Sequence, residues 1–240
     1  VWEDGTPLFY TMKRVNGRTL HAVLESLRNE TAEATPEFTL DRLLTIFRKV
    51  CDAMAFAHSR GILHRDLKPE NIMVGEFGEV LVMDWGVAKI TGQAGEDALE
   101  GAPARAPRLP QPPDTTTCAA VTLAGAVIGT PHFMSPEQAR GAVAEHDHRS
   151  DIFSLGAILY AILTLRPPVN GATMEEVLQQ IASARIRPPT GAEAVAGTDP
   201  LQPPKLKSLP HCPGGRVPPA LSAVAMKALA LDQADRFQSV

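Results

Sequence analysis

The feature that most constrains this chain is a polar run, residues 64–71 (HRDLKPEN), which lies between two apolar patterns. Before it, apolar residues recur at helical spacing, and after it two short apolar segments flank a turn that contains Gly78. A second polar run, residues 84–86 (DWG), follows the second segment. Because a hairpin returns the chain to the place where it started, Asp84 is expected to lie beside Asn71. The sequence therefore predicts one site that a helix, a loop and a hairpin build together.

The helix before this run is predicted to begin after an N-cap at Thr39 and to end at Gly61. Its repeating positions are Leu40, Leu43, Leu44, Phe47, Val50, Cys51, Met54 and His58. The hairpin strands are predicted at residues 72–74 and 80–83, and further helices at residues 19–27, 151–165, 174–184 and 218–231. The helix at residues 151–165 is apolar almost all round, which is typical of a buried helix.

Composition limits the class of protein. The chain has 240 residues, is 44% hydrophobic and 21% charged, and carries a formal net charge of -4. This is ordinary globular composition, and it lacks the clustered Lys and Arg of a nucleic-acid surface. The cysteines at positions 51, 118 and 212 are too far apart to suggest a zinc knuckle or a disulfide framework, which favours a reducing compartment. Two stretches rich in Pro, residues 91–120 and 188–219, are predicted to have little order.

Three motifs in order resemble those of eukaryotic-like, bacterial-type serine/threonine protein kinases. Residues 64–71 resemble the catalytic loop H-R-D-x-K-x-x-N, and residues 84–86 resemble D-F-G with Trp in place of Phe. Residues 127–137 (VIGTPHFMSPE) resemble the end of an activation segment, with S-P-E in place of A-P-E. Lys68 after Asp66, together with Gly-Thr-Pro at residues 129–131, favours the serine/threonine branch over the tyrosine branch.

The resemblance implies an α+β, protein-kinase-like fold that consists mainly of the helical C-lobe, with the hinge and a small remnant of N-lobe strand. Residues 1–15 would form the N-lobe remnant and hinge, and residues 16–240 the C-lobe. The activation segment would span residues 84–137 and include a disordered insertion at about residues 91–120. No Gly-rich loop or strand lysine precedes Leu8, so most of the N-lobe is expected to be absent and this chain alone to transfer phosphate poorly.

Phosphoryl transfer needs positioning and charge neutralisation more than covalent help, and Mg²⁺ needs hard oxygen ligands. By resemblance, Asp66 is the base that accepts the proton of the attacking hydroxyl, and Lys68 steadies the transferring phosphoryl group. Asn71 and Asp84 would hold Mg²⁺. For the adenine of ATP, the implied contacts are Met12 as gatekeeper, the backbone of Lys13 and Val15, and Met73 as the floor.

The resemblance also implies regulatory and structural residues. Arg65 would pair with a phosphate on Thr122, with Thr115, Thr116 and Thr117 as other possible sites; the alternative is that all four are polar residues of a plain loop. Glu137 and Arg236 would form a buried ion pair, and Asp151 would reach back to the backbone of the catalytic loop. His146, Asp147 and His148 lack the third and fourth ligands that zinc requires, so a solvated loop is expected there.

The resulting prediction is a kinase that transfers the γ-phosphoryl group of ATP to Ser and Thr hydroxyls of protein substrates. The alternative is a non-catalytic, kinase-like binding or scaffold module. The expected cofactors are ATP and Mg²⁺. No nucleic acid partner or membrane segment is expected in this chain, and a homodimer would allow trans-autophosphorylation. The kinase domain is expected in the cytoplasm, with any membrane tether lying outside this chain.

Overall fold

The computed structural model describes residues 15–29, 37–90, 131–189 and 209–240, together with two isolated strand pairs. The helices are α1 (Leu20–Arg28), α2 (Leu40–Ser59), α3 (Pro136–Ala139), α4 (His148–Thr164), α5 (Met174–Ala182) and α6 (Pro219–Ala228). The strands are β1 (Trp2–Glu3), β2 (Thr6–Pro7), β3 (Arg18–Thr19), β4 (Ile62–Leu63), β5 (Ile72–Val74), β6 (Val80–Val82), β7 (Lys89–Ile90), β8 (Ala194–Val195) and β9 (Lys205–Leu206).

Two small antiparallel sheets frame the polar run. One has the strand order β3-β5-β6, with Thr19 opposite Met73 and Ile72 opposite Val82. The other pairs β4 with β7, so that Leu63 lies opposite Lys89. The predicted hairpin is therefore confirmed as β5 and β6, and it returns the chain to the end of the polar run.

Helices α1 and α2 begin where the sequence predicts. The Thr19 hydroxyl accepts a hydrogen bond from the Ala22 amide at 3.1 Å, and the Thr39 hydroxyl accepts one from the Arg42 amide at 3.4 Å. These bonds satisfy amide groups that a helix start leaves without intrahelical partners. Gly61 follows α2 with a φ of 68°, a left-handed conformation that glycine adopts without steric cost.

Helix α4 forms the centre of the core. It is buried on all sides, as predicted, and it packs against α2 and α6. Gly156 permits the close approach of α6, because a Cβ at that position would lie 2.6 Å from the Cβ of Ala228. No helix in the described part of the chain is both long enough and apolar enough to cross a membrane.

The structure corrects three helix boundaries and one prediction of low order. Helix α5 ends at Ala182, two residues earlier than predicted, and α6 ends at Ala228, three residues earlier. Helix α4 starts three residues earlier than predicted, at His148, because the Asp147 carboxylate accepts the Arg149 amide at 2.8 Å and caps the helix. The prediction of low order for residues 188–219 is wrong for its C-terminal part. There, His211 is buried, its Nε2 lies 2.7 Å from the Ile162 carbonyl, and its own carbonyl accepts the Leu40 amide at 2.9 Å. The high proline content of residues 188–219 gives no indication of this buried, hydrogen-bonded histidine.

Several predicted features lie outside the described residues. They are the hinge positions Met12 and Lys13, the rest of a short strand that the apolar residues from Leu8 to Val15 predict, the regulatory position Thr122, and the insertion at residues 91–120. Val15 itself is described, half-buried, and not part of a strand.

Candidate active site

Three of the predicted site residues meet on the loop between β4 and β5. Lys68 Nζ donates to Asp66 Oδ2 at 2.7 Å. Asn71 Nδ2 donates to the same carboxylate oxygen at 3.1 Å and to the Asp66 backbone carbonyl at 2.8 Å. The Asp66 side chain keeps 32% of its surface exposed, so its carboxylate is held in place but open to a substrate.

The hairpin brings Asp84 to this loop. The Met83 amide donates to the Asn71 carbonyl at 2.8 Å, so the residue after Met83 emerges beside Asn71. Asp84 is exposed and has a φ of 61°, which is uncommon for a residue other than glycine. Gly86 leaves room for its carboxylate, because a Cβ at residue 86 would lie 3.3 Å from Asp84 Oδ1. We call Asp66, Lys68, Asn71 and Asp84 the loop cluster.

His64 connects the two halves of the site. It is fully buried, its Nδ1 lies 3.3 Å from the Asp66 amide, and its Nε2 lies 3.0 Å from the Met83 carbonyl. A carbonyl only accepts and an amide only donates, so the proton is on Nε2 and Nδ1 is the acceptor. The His64 imidazole therefore ties the start of the loop between β4 and β5 to the residue before Asp84.

Asp151, on helix α4, holds the backbone of the loop between β4 and β5. Its buried carboxylate accepts the amides of His64 and Arg65, each at 2.9 Å, and lies 2.8 Å from His58 Nε2. Arg65 has a φ of 71°, and such strain persists where the surroundings over-determine the backbone. Gln138 completes the restraint, because its Nε2 donates to the Arg65 carbonyl at 2.7 Å.

Glu137 and Arg236 form a two-pronged buried ion pair. Arg236 Nη1 donates to Glu137 Oε1 and Nη2 to Oε2, both at 2.9 Å, and the two side chains are 1% and 0% exposed. The remaining Arg236 donors bind backbone carbonyls of Arg149, Ala230 and Leu231. Burial alone would raise the pKa of Glu137. Hydrogen bonds from Arg236 and Ser150, with the Arg236 charge, outweigh it and lower this pKa to about 2. We call Glu137, Asp151 and Arg236 the buried support.

Other predicted positions fall at the edge of the site or outside it. Met73 is half-buried on β5, next to the strand that precedes α1. Asp147 binds Arg149 at 2.6 Å, and His148 Nε2 lies 2.9 Å from the Gln238 carbonyl, so both are engaged in capping and packing. No group of three or more His, Cys, Asp and Glu side chains among the described residues could hold a metal ion.

Sequence reasoning missed three positions that hold the site. His58 was predicted only as part of a buried face, although its helical spacing places it toward α4. Gln138 follows directly after the motif at residues 127–137, which does not include it. The motif at residues 84–86 indicates only that Trp85 replaces another aromatic residue, whereas the Trp85 Nε1 donates to the Val82 carbonyl at 3.0 Å. In each case the partner is distant in sequence or is a backbone atom, and a motif does not display such partners.

A carboxylate bound to a lysine, beside an amide and a second carboxylate, has the chemistry that phosphoryl transfer requires. The chain belongs to the protein kinase domain family, which matches residues 1–237. The predicted kinase resemblance and the predicted α+β kinase-like fold are therefore confirmed.

The chain is also similar to curated kinases. It is 35% identical over 244 residues to serine/threonine-protein kinase PknD of Protochlamydia amoebophila, covering 99% of this chain and 22% of that protein. It is 36% identical over 248 residues to the proteins of the same name from Chlamydia caviae and Chlamydia felis, covering 100% of this chain and 23% of each. The chain thus spans less than a quarter of the length of these relatives.

Proposed function

We propose that this chain supplies the catalytic loop and the metal ligands of a kinase that transfers the γ-phosphoryl group of ATP to serine and threonine hydroxyls of protein substrates, and that residues 1–240 alone transfer it poorly. The observation that carries the proposal is the hydrogen-bonded set of Asp66, Lys68 and Asn71, with Asp84 delivered beside it by the Met83–Asn71 backbone bond. The names of the relatives support serine and threonine as the acceptors.

Asp66 is the proposed base. Its Oδ2 already accepts two hydrogen bonds, from Lys68 and Asn71, which leaves Oδ1 as the oxygen better placed to accept the proton of a substrate hydroxyl. Lys68 also offers positive charge next to the incoming nucleophile, where negative charge spreads over the transferring group. The half-exposed carboxylate suits a macromolecular substrate that approaches from solvent.

The donor set fits a divalent metal bound with ATP. The Asn71 amide nitrogen is engaged by Asp66, so its amide oxygen is the end that remains for a cation. Together with the Asp84 carboxylate it offers the hard oxygen ligands that Mg²⁺ prefers, with water and phosphate oxygens completing the shell. When bound, Mg²⁺ would neutralise the phosphate charge that develops during transfer. Met12, the backbone of Lys13 and Val15, and Met73 are proposed to contact the adenine.

The domain division and the regulation are proposals of the same kind. Residues 1–15 would carry the hinge and residues 16–240 the C-lobe. Arg65 would bind a phosphate on Thr122, which is consistent with the tight restraint of the Arg65 backbone by Asp151 and Gln138. A cytoplasmic location and a homodimer for trans-autophosphorylation stay predictions.

The test is Asp66→Asn in the full-length protein. Turnover on a protein substrate should fall by roughly 10²–10⁴-fold, because the amide cannot act as a base, while ATP affinity stays within about twofold. Asp52→Asn, on the exposed side of α2, is the matched control and should leave turnover unchanged. Near-normal turnover of Asp66→Asn would contradict the assignment. Nucleotide binding by the wild-type protein without any phosphate transfer would favour the scaffold alternative.

A further inference from the structure

Trp85 is anchored in a way that phenylalanine could not reproduce. Its indole Nε1 donates to the Val82 carbonyl at 3.0 Å, and its ring lies against His64 with centroids 4.5 Å apart and planes at 54°. Its own carbonyl accepts the Ala88 amide at 3.1 Å. Both the side chain and the backbone of Trp85 are therefore fixed, although the residue is 37% exposed.

The Val82 carbonyl is available for this bond because of strand geometry. The Met83 amide points to Asn71, and in a trans peptide the preceding carbonyl points the opposite way. Among the described residues, strand β6 is at the edge of its sheet, so this outward carbonyl has no neighbouring strand there. The indole N–H supplies a donor that would otherwise come from water.

Asp84 lies between two anchored residues. On one side, Met83 is held by its amide to Asn71 and by its carbonyl to His64. On the other side is Trp85, whose indole bond closes a loop back to Val82 across Asp84. The φ of 61° at Asp84 is unfavourable for a residue with a side chain, so restraints on both sides are needed to keep it populated.

We propose that Trp85 is a positioning residue for Asp84, and that its indole hydrogen bond to Val82 holds the Asp84 carboxylate in the orientation that binds a divalent cation with a nucleotide. This rests on the proposed function, since it takes Asp84 as a metal ligand. Its new element is the role of the indole N–H, which is independent of the ring contact with His64.

Trp85→Phe is the matched variant, because it retains an aromatic ring against His64 and removes the donor. Nucleotide binding is titrated with Mg²⁺ in the full-length protein, using a non-hydrolysable ATP analogue. The Mg²⁺ concentration at half-saturation should rise about three- to tenfold, the range expected for one lost hydrogen bond. Binding of the analogue without Mg²⁺ should be unchanged. Trp2→Phe, at the only other tryptophan in the chain, controls for loss of an indole and should leave the half-saturation concentration unchanged.

An unchanged Mg²⁺ half-saturation in Trp85→Phe would overturn the proposal, and so would an equal loss of affinity with and without Mg²⁺. Asp84→Ala separates this failure from that of the proposed function. If Asp84→Ala abolishes the Mg²⁺ dependence while Trp85→Phe leaves it intact, only the role of the indole is wrong. If neither variant alters it, the metal site itself is misplaced.

A measurement on the metal-free wild-type protein does not depend on how the variant folds. With ¹⁵N-labelled tryptophan, the Trp85 indole N–H signal is identified by its nuclear Overhauser contacts with the His64 ring, whose centroid lies 4.5 Å from that of Trp85. Slow exchange of that proton with solvent is expected, because it is bonded to a carbonyl. Exchange as fast as that of free tryptophan would contradict the proposal.

Discussion

The loop cluster and the buried support hold charged groups in opposite ways. In the loop cluster, the Asp66 side chain is 32% exposed and Asp84 is exposed, whereas Asn71 is buried, and two residues at or beside the cluster, Arg65 and Asp84, have left-handed backbone conformations. In the buried support, Glu137 and Arg236 are 1% and 0% exposed, and their donors and acceptors are paired with each other, with Ser150 or with backbone. The two carboxylates that we propose as base and metal ligand, Asp66 and Asp84, thus lie near solvent, and the ion pair that supports them is removed from it.

The difference in exposure between the loop cluster and the buried support shows which residues fix the positions of the site groups. A half-exposed carboxylate gains little from electrostatics in water, and an unusual backbone conformation does not maintain itself. Asp151 binds two consecutive amides of the loop, and Ser150 on the same helix donates to Glu137 at 2.6 Å. The site is therefore positioned by one buried polar network that extends through α4 to Arg236.

The largest effect on stability is expected from breaking the Glu137–Arg236 ion pair of this network. Glu137→Ala should lower the free energy of unfolding by roughly 3–5 kcal/mol, because it leaves Arg236 buried without its counter-charge. Chemical denaturation of the full-length protein measures this. Glu145→Ala is the matched control, since Glu145 pairs with Arg140 at 3.7 Å on the surface and such pairs contribute about 0–1 kcal/mol. If Glu137→Ala and Glu145→Ala lower the free energy of unfolding equally, the buried ion pair contributes no more than a surface pair, and the contrast drawn here is wrong.

The next largest effect is expected at Asp151, which connects the buried support to the loop that carries the loop cluster. Asp151→Asn retains the size of the side chain but turns an N–H₂ group toward donors, so at least one loop amide or His58 loses its acceptor. Each buried donor left unpaired costs about 1–3 kcal/mol, and a loop displaced by about 1 Å can lose roughly 10²-fold in turnover.

Steady-state kinetics beside a denaturation curve would separate the two consequences of Asp151→Asn. Asp232→Asn is exposed and makes no capping bond, so it serves as the control. A variant with lower stability but normal turnover would mean that the support does not position the loop.

The loop cluster was predictable from sequence, but most of what positions it was not. Asp66, Lys68, Asn71 and Asp84 lie within one stretch of the chain, and a helix followed by a hairpin leaves few ways to arrange them. The resemblance also implied the long-range partners Glu137, Arg236 and Asp151, and the structure brings them to the expected atoms.

The roles of His58, Gln138 and Trp85 were out of reach because their partners are a distant carboxylate or backbone carbonyls. The same reason explains the error at His211. A Pro-rich composition indicates low order, but one buried imidazole bonded to the Ile162 carbonyl anchors that segment against α4.

Acid should weaken the buried support in a defined window. The folded pKa of Glu137 is about 2, below its ordinary value of 4.5, so the unfolded chain binds more protons between these values. The stabilisation is thus complete above about pH 4.5 and is lost as the pH falls toward 2.

The difference in unfolding free energy between wild type and Glu137→Gln should be constant at neutral pH and shrink below about pH 4.5. Burial lowers the pKa of His132, His146 and His211, so the wild type also loses stability below the ordinary histidine value of 6.5. The contributions of His132 and His211 cancel in the comparison of the two proteins, whereas that of His146 changes, because the Glu137 charge raises the pKa of His146. A difference that grows as the pH falls from about 4.5 toward 2 would show that the sign is wrong.

The smallest effect on turnover is expected from removing the hydrogen bond between Gln138 and the Arg65 carbonyl. Gln138 Oε1 accepts the Ser135 amide at 2.9 Å, while its Nε2 donates to the Arg65 carbonyl. Gln138→Glu keeps the acceptor that caps α3, removes the donor to Arg65 and places a carboxylate oxygen against the Arg65 carbonyl, so its effect is an upper limit for that one bond. One neutral hydrogen bond contributes about 0.5–1.5 kcal/mol, and we expect a decrease in turnover of about two- to tenfold with little change in the KM for ATP. Ser135→Ala is the complementary control, because it weakens the cap and leaves the donor to Arg65 in place. If Ser135→Ala lowers turnover as much as Gln138→Glu does, the effect comes from α3 as a whole, and the Arg65 carbonyl is not a separate point of restraint.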